Sequence, residues 1–395
     1  MKWVITIFAI VIIIIAAGLF FIRSKFSTPL FSNLDQTMQY LVSDLVQKDK
    51  SVRNCDLSVM KGNGSFSWSG AAGIANQDGQ IPMTKDTPIY IASITKLYTA
   101  TVIMRLYEKG TLALDDPIAK YLPEELIRGI HVYKGKDYSH AITIKQLLAH
   151  SSGIADYYSE RPKGGKTLFE LYLEKPDRPW TVEETIERAR KVLTPNFVPG
   201  TGTSYSDTNF QLLGKIIEAA TGKPLQTVYE EFIFHPLNLK HTWLIGRSEP
   251  QVPISAPIAN AFYKDVDITK IRSYGSYWAD GGIVSTAEEM ILFLKALKEG
   301  SVVKEDTLKL MHDWHNLKFP FQYGLGTRYF KLPLLMTKLT KVSPLWGHSG
   351  STGSFLYYSK DLDLYMAGSI NQMDSKIKPF ILMAKVMRAF SNDTH

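Results

Sequence analysis

The sequence predicts an α+β fold: an antiparallel β-sheet flanked by N- and C-terminal helices, with an inserted, mostly helical region. Three observations predict it. Strand-like alternation is confined to the two ends of the chain, an amphipathic helical repeat lies outside each strand group, and about residues 100 to 280 read mostly as helix. The 395 residues are 45% apolar and 21% charged, an ordinary globular composition that excludes a disordered chain or a multi-span membrane protein.

The elements follow in order. Trp3 to Ile22 carry no charge, and a helix of that length spans about 30 Å, the hydrocarbon thickness of a bilayer. Residues 1–25 are therefore expected to be a single membrane anchor, with a cleaved signal segment as the competing reading because Ala16, Ala17 and Gly18 are small. Residues 26–395 form the remaining unit. Leu34, Met38, Leu41, Val42, Leu45 and Val46 recur at helical spacing, and strands Cys55–Lys61 and Ser65–Ile74 follow around the turn Gly62-Asn63-Gly64. Near the other end, strands Ser354–Ser359 and Leu362–Ile370 precede a helix carrying Phe380, Met383, Met387 and Phe390. The sheet part is thus expected at about 34–92 and 281–391, and the helical insertion at about 100–280.

Net charge is +7, of which Lys2, Arg23 and Lys25 supply three, and no basic run interleaved with aromatics suggests nucleic acid. Cys55 is the only cysteine, so no intrachain disulfide is possible, and its alternating surroundings read as a buried strand. His312 and His315 stand three apart without a third ligand nearby in sequence; no metal and no cofactor are expected.

Three short elements carry chemistry. Ser93-Ile94-Thr95-Lys96 opens a helix that stops at Gly110, so Ser93 sits where free backbone N–H groups and the helix dipole favour a developing anion. Residues three apart share a helix face, which brings the Lys96 amine within reach of the Ser93 hydroxyl as a nucleophile and its base. The bland reading of such a pair is an N-cap and a solvated lysine. Tyr205-Ser206-Asp207 stands on a turn before the helical run Phe210 to Ile217, pointing a phenol and a short polar group the same way. Gly347-His348-Ser349-Gly350-Ser351 precedes a strand, where His348 and Ser349 can bind a carboxylate or shuttle a proton and Gly350 lets a substrate backbone approach.

In this order the three elements resemble the serine β-lactamase and DD-peptidase superfamily, in particular the class C β-lactamase branch with low-molecular-mass penicillin-binding proteins, esterases and D-aminopeptidases. The resemblance runs from about 34 to 391 and includes the segments Leu147–Gly153, Phe234–Leu237 and Gly281–Thr286, which look like that branch's packing signatures. It implies that Ser93 is the acylated nucleophile, Lys96 its activating partner and Tyr205 the proton relay. It also implies substrate-binding roles for Asp207, His348, Ser349, Gly350 and Ser351, and an oxyanion hole formed by the Ser93 and Ser351 N–H groups.

Two positions depart from the pattern. Asp207 stands where the branch usually has asparagine, and a carboxylate cannot donate to a substrate carbonyl. His348 stands where a lysine is common, and is only partly protonated near neutral pH. No Gly-x-Ser-x-Gly elbow and no His-Glu-x-x-His is present. The expectation is a membrane-tethered hydrolase whose body faces outward, as the family's wall-directed peptidases imply. Its substrate would be a D-amino-acid cell-wall peptide or a β-lactam, with small acyl esters or a penicillin sensor without turnover as alternatives.

Overall fold

A strand buried on both faces needs apolar side chains at odd and even positions alike, and the strands near the C-terminus have them. The computed structural model describes residue 31 and residues 33–272, 276–317, 319–332, 337 and 344–393. From the N-terminus, helix α1 (Leu34–Lys48) is followed by β1 (Asn54–Lys61), β2 (Ser67–Asn76) and β3 (Ile81–Pro82). Helices α2 (Thr95–Glu108), α3 (Asp207–Thr221) and α4 (Ala287–Lys298) come next. The chain then gives β4 (His315–Asn316), β5 (Phe321–Tyr323), β6 (Arg328–Phe330), β7 (Leu345–Ser349), β8 (Ser354–Ser359), β9 (Leu364–Ser369) and α5 (Lys378–Asp393).

These nine strands form one sheet in the order β4-β5-β6-β7-β8-β9-β1-β2-β3, and each neighbouring pair is antiparallel. The first strand is therefore inserted beside the last, with Val59 opposite Met366 on one side and Trp68 on the other. Phe355 and Tyr357 of β8 face a core shared with Met38 and Leu41 of α1 and Met383 and Met387 of α5. Leu356 and Tyr358 face the opposite core, shared with Phe293 and Leu297 of α4. The α+β architecture read from the sequence is the one observed.

Local signals set the helix limits. Asn33 caps α1 by accepting from the Gln36 N–H, and α3 stops at Gly222, whose φ of 68° is left-handed and suits a residue without Cβ. A small ribbon pairs Ile283–Ser285 with Ile89–Tyr90 and Trp243–Leu244, and so ties the segment before Ser93 to the one after Asp280.

The expected membrane location requires correction. Among the described residues no helix is long and apolar enough to cross a membrane. The longest, α5, has 16 residues and extends about 24 Å at the α-helical rise, short of a hydrocarbon layer of about 30 Å, and Lys385 and Arg388 interrupt it. Residues 1–25, on which the anchor expectation rested, lie outside the described residues. A single-pass location with an outward-facing body is not supported.

Candidate active site

The strand Ile89–Tyr90 turns sharply into α2 through Ala92, whose φ of 48° is unusual for a residue with a Cβ and marks a strained turn. Ser93 follows in a short 3-10 turn, Ala92–Ile94, that continues into α2. Neither helix start has a side-chain cap, so the Ser93 hydroxyl is not spent on capping. Instead it accepts a hydrogen bond from Lys96 Nζ at 3.3 Å.

Gly350 explains how the sheet approaches this turn. A Cβ there would lie 2.4 Å from the Ile91 carbonyl oxygen and 2.9 Å from Ala92 Cβ. Glycine therefore lets the end of β7 pack on the Ser93 turn. Two hydroxyls secure the contact: Thr352 Oγ1 donates to the Tyr90 carbonyl at 2.9 Å and Ser354 Oγ to the Ile91 carbonyl at 2.8 Å.

Lys96 is fully buried beneath Ser93. Its ammonium lies 2.5 Å from Asp207 Oδ1 and donates to the Asp280 carbonyl oxygen at 2.5 Å. Burial alone opposes the charged amine, but the Asp207 carboxylate, helped by Tyr205 and Asp280, outweighs it and holds the Lys96 pKa above its ordinary value. Asp207 reaches this position because it is the first residue of α3, and its N–H donates to Asp156 Oδ1 at 3.0 Å.

Two further carboxyls complete the floor, and sequence reading singled out neither. Burial pushes Asp156 up to about 7, with Asp207 adding to the rise. Burial likewise pushes Asp280 up to about 6 against the pull of Lys96. Asp280 accepts from the Tyr157 hydroxyl at 2.5 Å and from the Trp278 N–H at 3.1 Å. Its only sequence signal was its place immediately before Gly281–Thr286.

Tyr205 lies two residues before α3. Its ring centroid is 5.2 Å from Lys96 Nζ and 5.3 Å from the Arg328 guanidinium, and its hydroxyl is buried with no hydrogen bond of ordinary geometry, Ser93 being the side chain that approaches it and favours the phenolate. Burial raises the phenol pKa, Lys96 and Arg328 pull it down, Asp207 pushes it up, and the net shift is upward.

Ser93, Tyr205, Asp207, Ser349, Gly350 and Ser351 all line one cleft of about 590 Å³. Lys96 lies beneath it. His348 does not join them: its ring is fully buried on the inner side of β7, with Nε2 2.9 Å from the Tyr323 hydroxyl and Nδ1 2.9 Å from the Ser349 carbonyl oxygen. Burial, then the Arg328 and Lys96 cations, hold its pKa well below the ordinary histidine value, so the ring is neutral. The cation on this wall is Arg328 of β6, whose Nη1 donates to Ser349 Oγ at 2.7 Å. A lone arginine in a short alternating stretch gave no motif by which to find it.

The model of the Beta-lactamase family matches residues 57–383. A putative D-alanyl-D-alanine carboxypeptidase of Escherichia coli strain K12 is 29% identical over 347 residues, covering 78% of this chain and 76% of that protein. Esterase EstB of Burkholderia gladioli is 26% identical over 275 residues, covering 64% and 67%. Among solved structures, the D-amino acid amidase of Ochrobactrum anthropi SV3 superposes with a TM-score of 0.76 at 25% identity, covering 92% of this chain and all of that one.

Proposed function

Because the chain belongs to the Beta-lactamase family and is a serine hydrolase of that superfamily, we propose that residues 26–395 form one acyl-enzyme hydrolase with Ser93 as nucleophile. Its substrates are D-amino-acid cell-wall peptides, cleaved in the manner of a DD-carboxypeptidase, or β-lactams. The observation that carries this substrate class is Arg328, a permanent cation on the cleft wall beside Ser349, placed to receive the carboxylate that both substrates bear. Similarity to the putative D-alanyl-D-alanine carboxypeptidase and to the D-amino acid amidase supports the D-configured peptide.

The chemistry proceeds from the charges. Lys96, held protonated by Asp207, lowers the free energy of a Tyr205 phenolate that burial raises. Once the Tyr205 phenol has released its own proton to solvent, the phenolate oxygen accepts the Ser93 proton as Oγ bonds to the scissile carbonyl carbon. The Ser93 and Ser351 N–H groups stabilise the resulting oxyanion. Breaking the C–N bond then draws the proton from Tyr205 to the leaving amine. Water adds to the acyl carbon, giving a proton to Tyr205, and Ser93 Oγ departs with that proton.

One observation favours a second reading, hydrolysis of small acyl esters. Asp207 is an acceptor already engaged by Lys96, so the site lacks the amide donor that would hold a substrate peptide carbonyl, and an ester does not require it. Similarity to an esterase is consistent with this.

The test is covalent labelling of the parent and Ser93→Ala with a fluorophosphonate and a fluorescent penicillin, alongside release of D-alanine from a D-alanyl-D-alanine peptide. Labelling should vanish in Ser93→Ala while thermal stability stays within about 1 kcal/mol, because the hydroxyl makes no cap. A fully labelled mutant would falsify the nucleophile assignment. Fluorophosphonate labelling without penicillin labelling or D-alanine release selects the esterase reading.

A further inference from the structure

Tyr205 precedes its helix in a turn, where backbone alone does not hold a catalytic side chain to a fraction of an ångström. His150 supplies the missing hold. Its carbonyl oxygen accepts from the Ser204 N–H at 2.9 Å, and its Nδ1 accepts from the Ser206 N–H at 3.1 Å. The N–H groups of both residues that flank Tyr205 are thus fastened to one residue. The imidazole also backs the Tyr205 ring, with centroids 4.3 Å apart and planes 38° apart, and meets Tyr323 at 4.4 Å on another side.

The protonation of this ring follows from its partners. A backbone N–H can only donate, so Nδ1 is bare and the ring proton is on Nε2. Asn209 Nδ2 sits 3.2 Å from the same Nδ1, and its orientation is set because its Oδ1 accepts from Ser152 Oγ at 2.7 Å. The residue is fully buried and has a φ of 55°, a conformation histidine adopts at a cost that the surrounding contacts must offset. Burial, with Lys96 and Arg328 adding to it, keeps the imidazole neutral.

We propose that His150, fixed as its Nε2–H tautomer, is the positioning residue for the Tyr205 phenol: it grips the N–H groups of both neighbouring residues and buttresses the ring, without touching substrate. The proposal rests on the reading of Tyr205 as the group that takes the Ser93 proton. It predicts that loss of the Nδ1 acceptor weakens the chemical step and leaves binding alone.

The experiment measures fluorophosphonate inactivation, as kinact and KI, on the full chain together with a thermal melt. His150→Phe keeps a ring but loses the acceptor, and kinact should fall about 100-fold, the effect of a small misplacement of a reacting group, with KI nearly unchanged. His150→Asn accepts a left-handed φ and places an amide oxygen near Nδ1, so it should recover most of that loss. In a Tyr205→Phe background the His150→Phe change should add less than about threefold, since its effect passes through the phenol. Separately, ¹⁵N-histidine spectra should contain one neutral ring with a bare Nδ1 that disappears in His150→Asn.

Three outcomes overturn the proposal: a fall in kinact matched by the loss of folded protein, equal losses in His150→Phe and His150→Asn, or full multiplication of the His150→Phe and Tyr205→Phe effects. An unlabelled parent, or an unaffected Tyr205→Phe, overturns instead the acyl-enzyme reading beneath it.

Discussion

The helical floor of the cleft and the sheet beside it both bury ionisable side chains completely, yet they treat charge in opposite ways. Lys96 on the floor is a cation and His348 in β7 is neutral, although neither exposes any surface. In β1, Asp56 is also fully buried, and burial raises its pKa to about 7 because only the Ser369 N–H, at 2.7 Å, and its own N–H compensate. Asp56 Oδ2 has no hydrogen-bond partner.

The difference is the partner. Two unit charges 2.5 Å apart attract by about 7 kcal/mol at an effective dielectric constant of about 20, enough to offset the several kcal/mol lost on desolvating an ion. Lys96 has that partner in Asp207. His348 faces the cations Arg328 and Lys96 instead, so proximity adds to burial rather than opposing it. A buried charge under Ser93 is thus maintained chiefly by Asp207, with Tyr205 and Asp280 adding to it, and the sheet shows what happens without such partners.

Removing the cation should give the largest effect. Lys96→Met leaves Asp207 buried and unpaired, which should cost about 3–5 kcal/mol of stability and slow fluorophosphonate labelling by about 1,000-fold or more. His348→Leu removes the partner of the Tyr323 hydroxyl and one donor to the Ser349 carbonyl oxygen, at about 1–3 kcal/mol for each group left unsatisfied, and should slow labelling far less because the ring does not line the cleft. Urea melts and labelling rates on both variants decide it. Equal labelling losses would mean that the neutral wall shares the chemistry.

Next in size is the pH effect of Asp56 in the sheet, which has the same sign as those of Asp156 and Asp280 on the floor. The folded-state pKa of Asp56, about 7, lies above the ordinary carboxyl value of 3.8 expected on unfolding. The native state therefore binds the proton more tightly, and stability from this group is full below the unfolded pKa and is lost as pH rises to about 7. With a shift of about three pKa units the loss is at most about 4 kcal/mol. Asp56→Asn should remove this component of the decline between pH 4 and 7. Urea-derived stability profiles with the same slope in both proteins would reject it.

The sheet and the charged floor were unequally legible in the sequence. Short apolar runs at Ser354–Ser359 and Leu362–Ile370, parted by Lys360-Asp361, identified strands, and helical spacing placed Lys96 one turn from Ser93, because both signals are local. His348 was recognisable as a motif residue, but which face of β7 it occupies depends on register against β6 and β8. Arg328, Asp156 and Asp280 act through contacts with distant segments and carry no spacing signature. His150 lay inside the recognised segment Leu147–Gly153, but its grip on Ser204 and Ser206 spans more than fifty residues.

The smallest expected effect concerns Asp207→Asn, which tests whether the charge pair itself is needed for turnover. Without the carboxylate, burial is no longer outweighed and the Lys96 pKa falls. Tyr205 responds in the same direction, since Asp207 raises its pKa, so the phenolate forms at lower pH. The fold should survive because Lys96 keeps the Asp280 carbonyl at 2.5 Å. Fluorophosphonate labelling should therefore change by less than about tenfold, with its acid limb moved to lower pH, whereas Tyr205→Phe should lose about 100-fold. Penicillin acylation should rise in Asp207→Asn, because the new amide can donate to the drug's amide carbonyl and an anion no longer repels its carboxylate. Second-order acylation rates of the parent and both variants from pH 6 to 9 read the outcome. A larger loss in Asp207→Asn than in Tyr205→Phe would transfer the proton-accepting role from the phenol to the lysine-carboxylate pair.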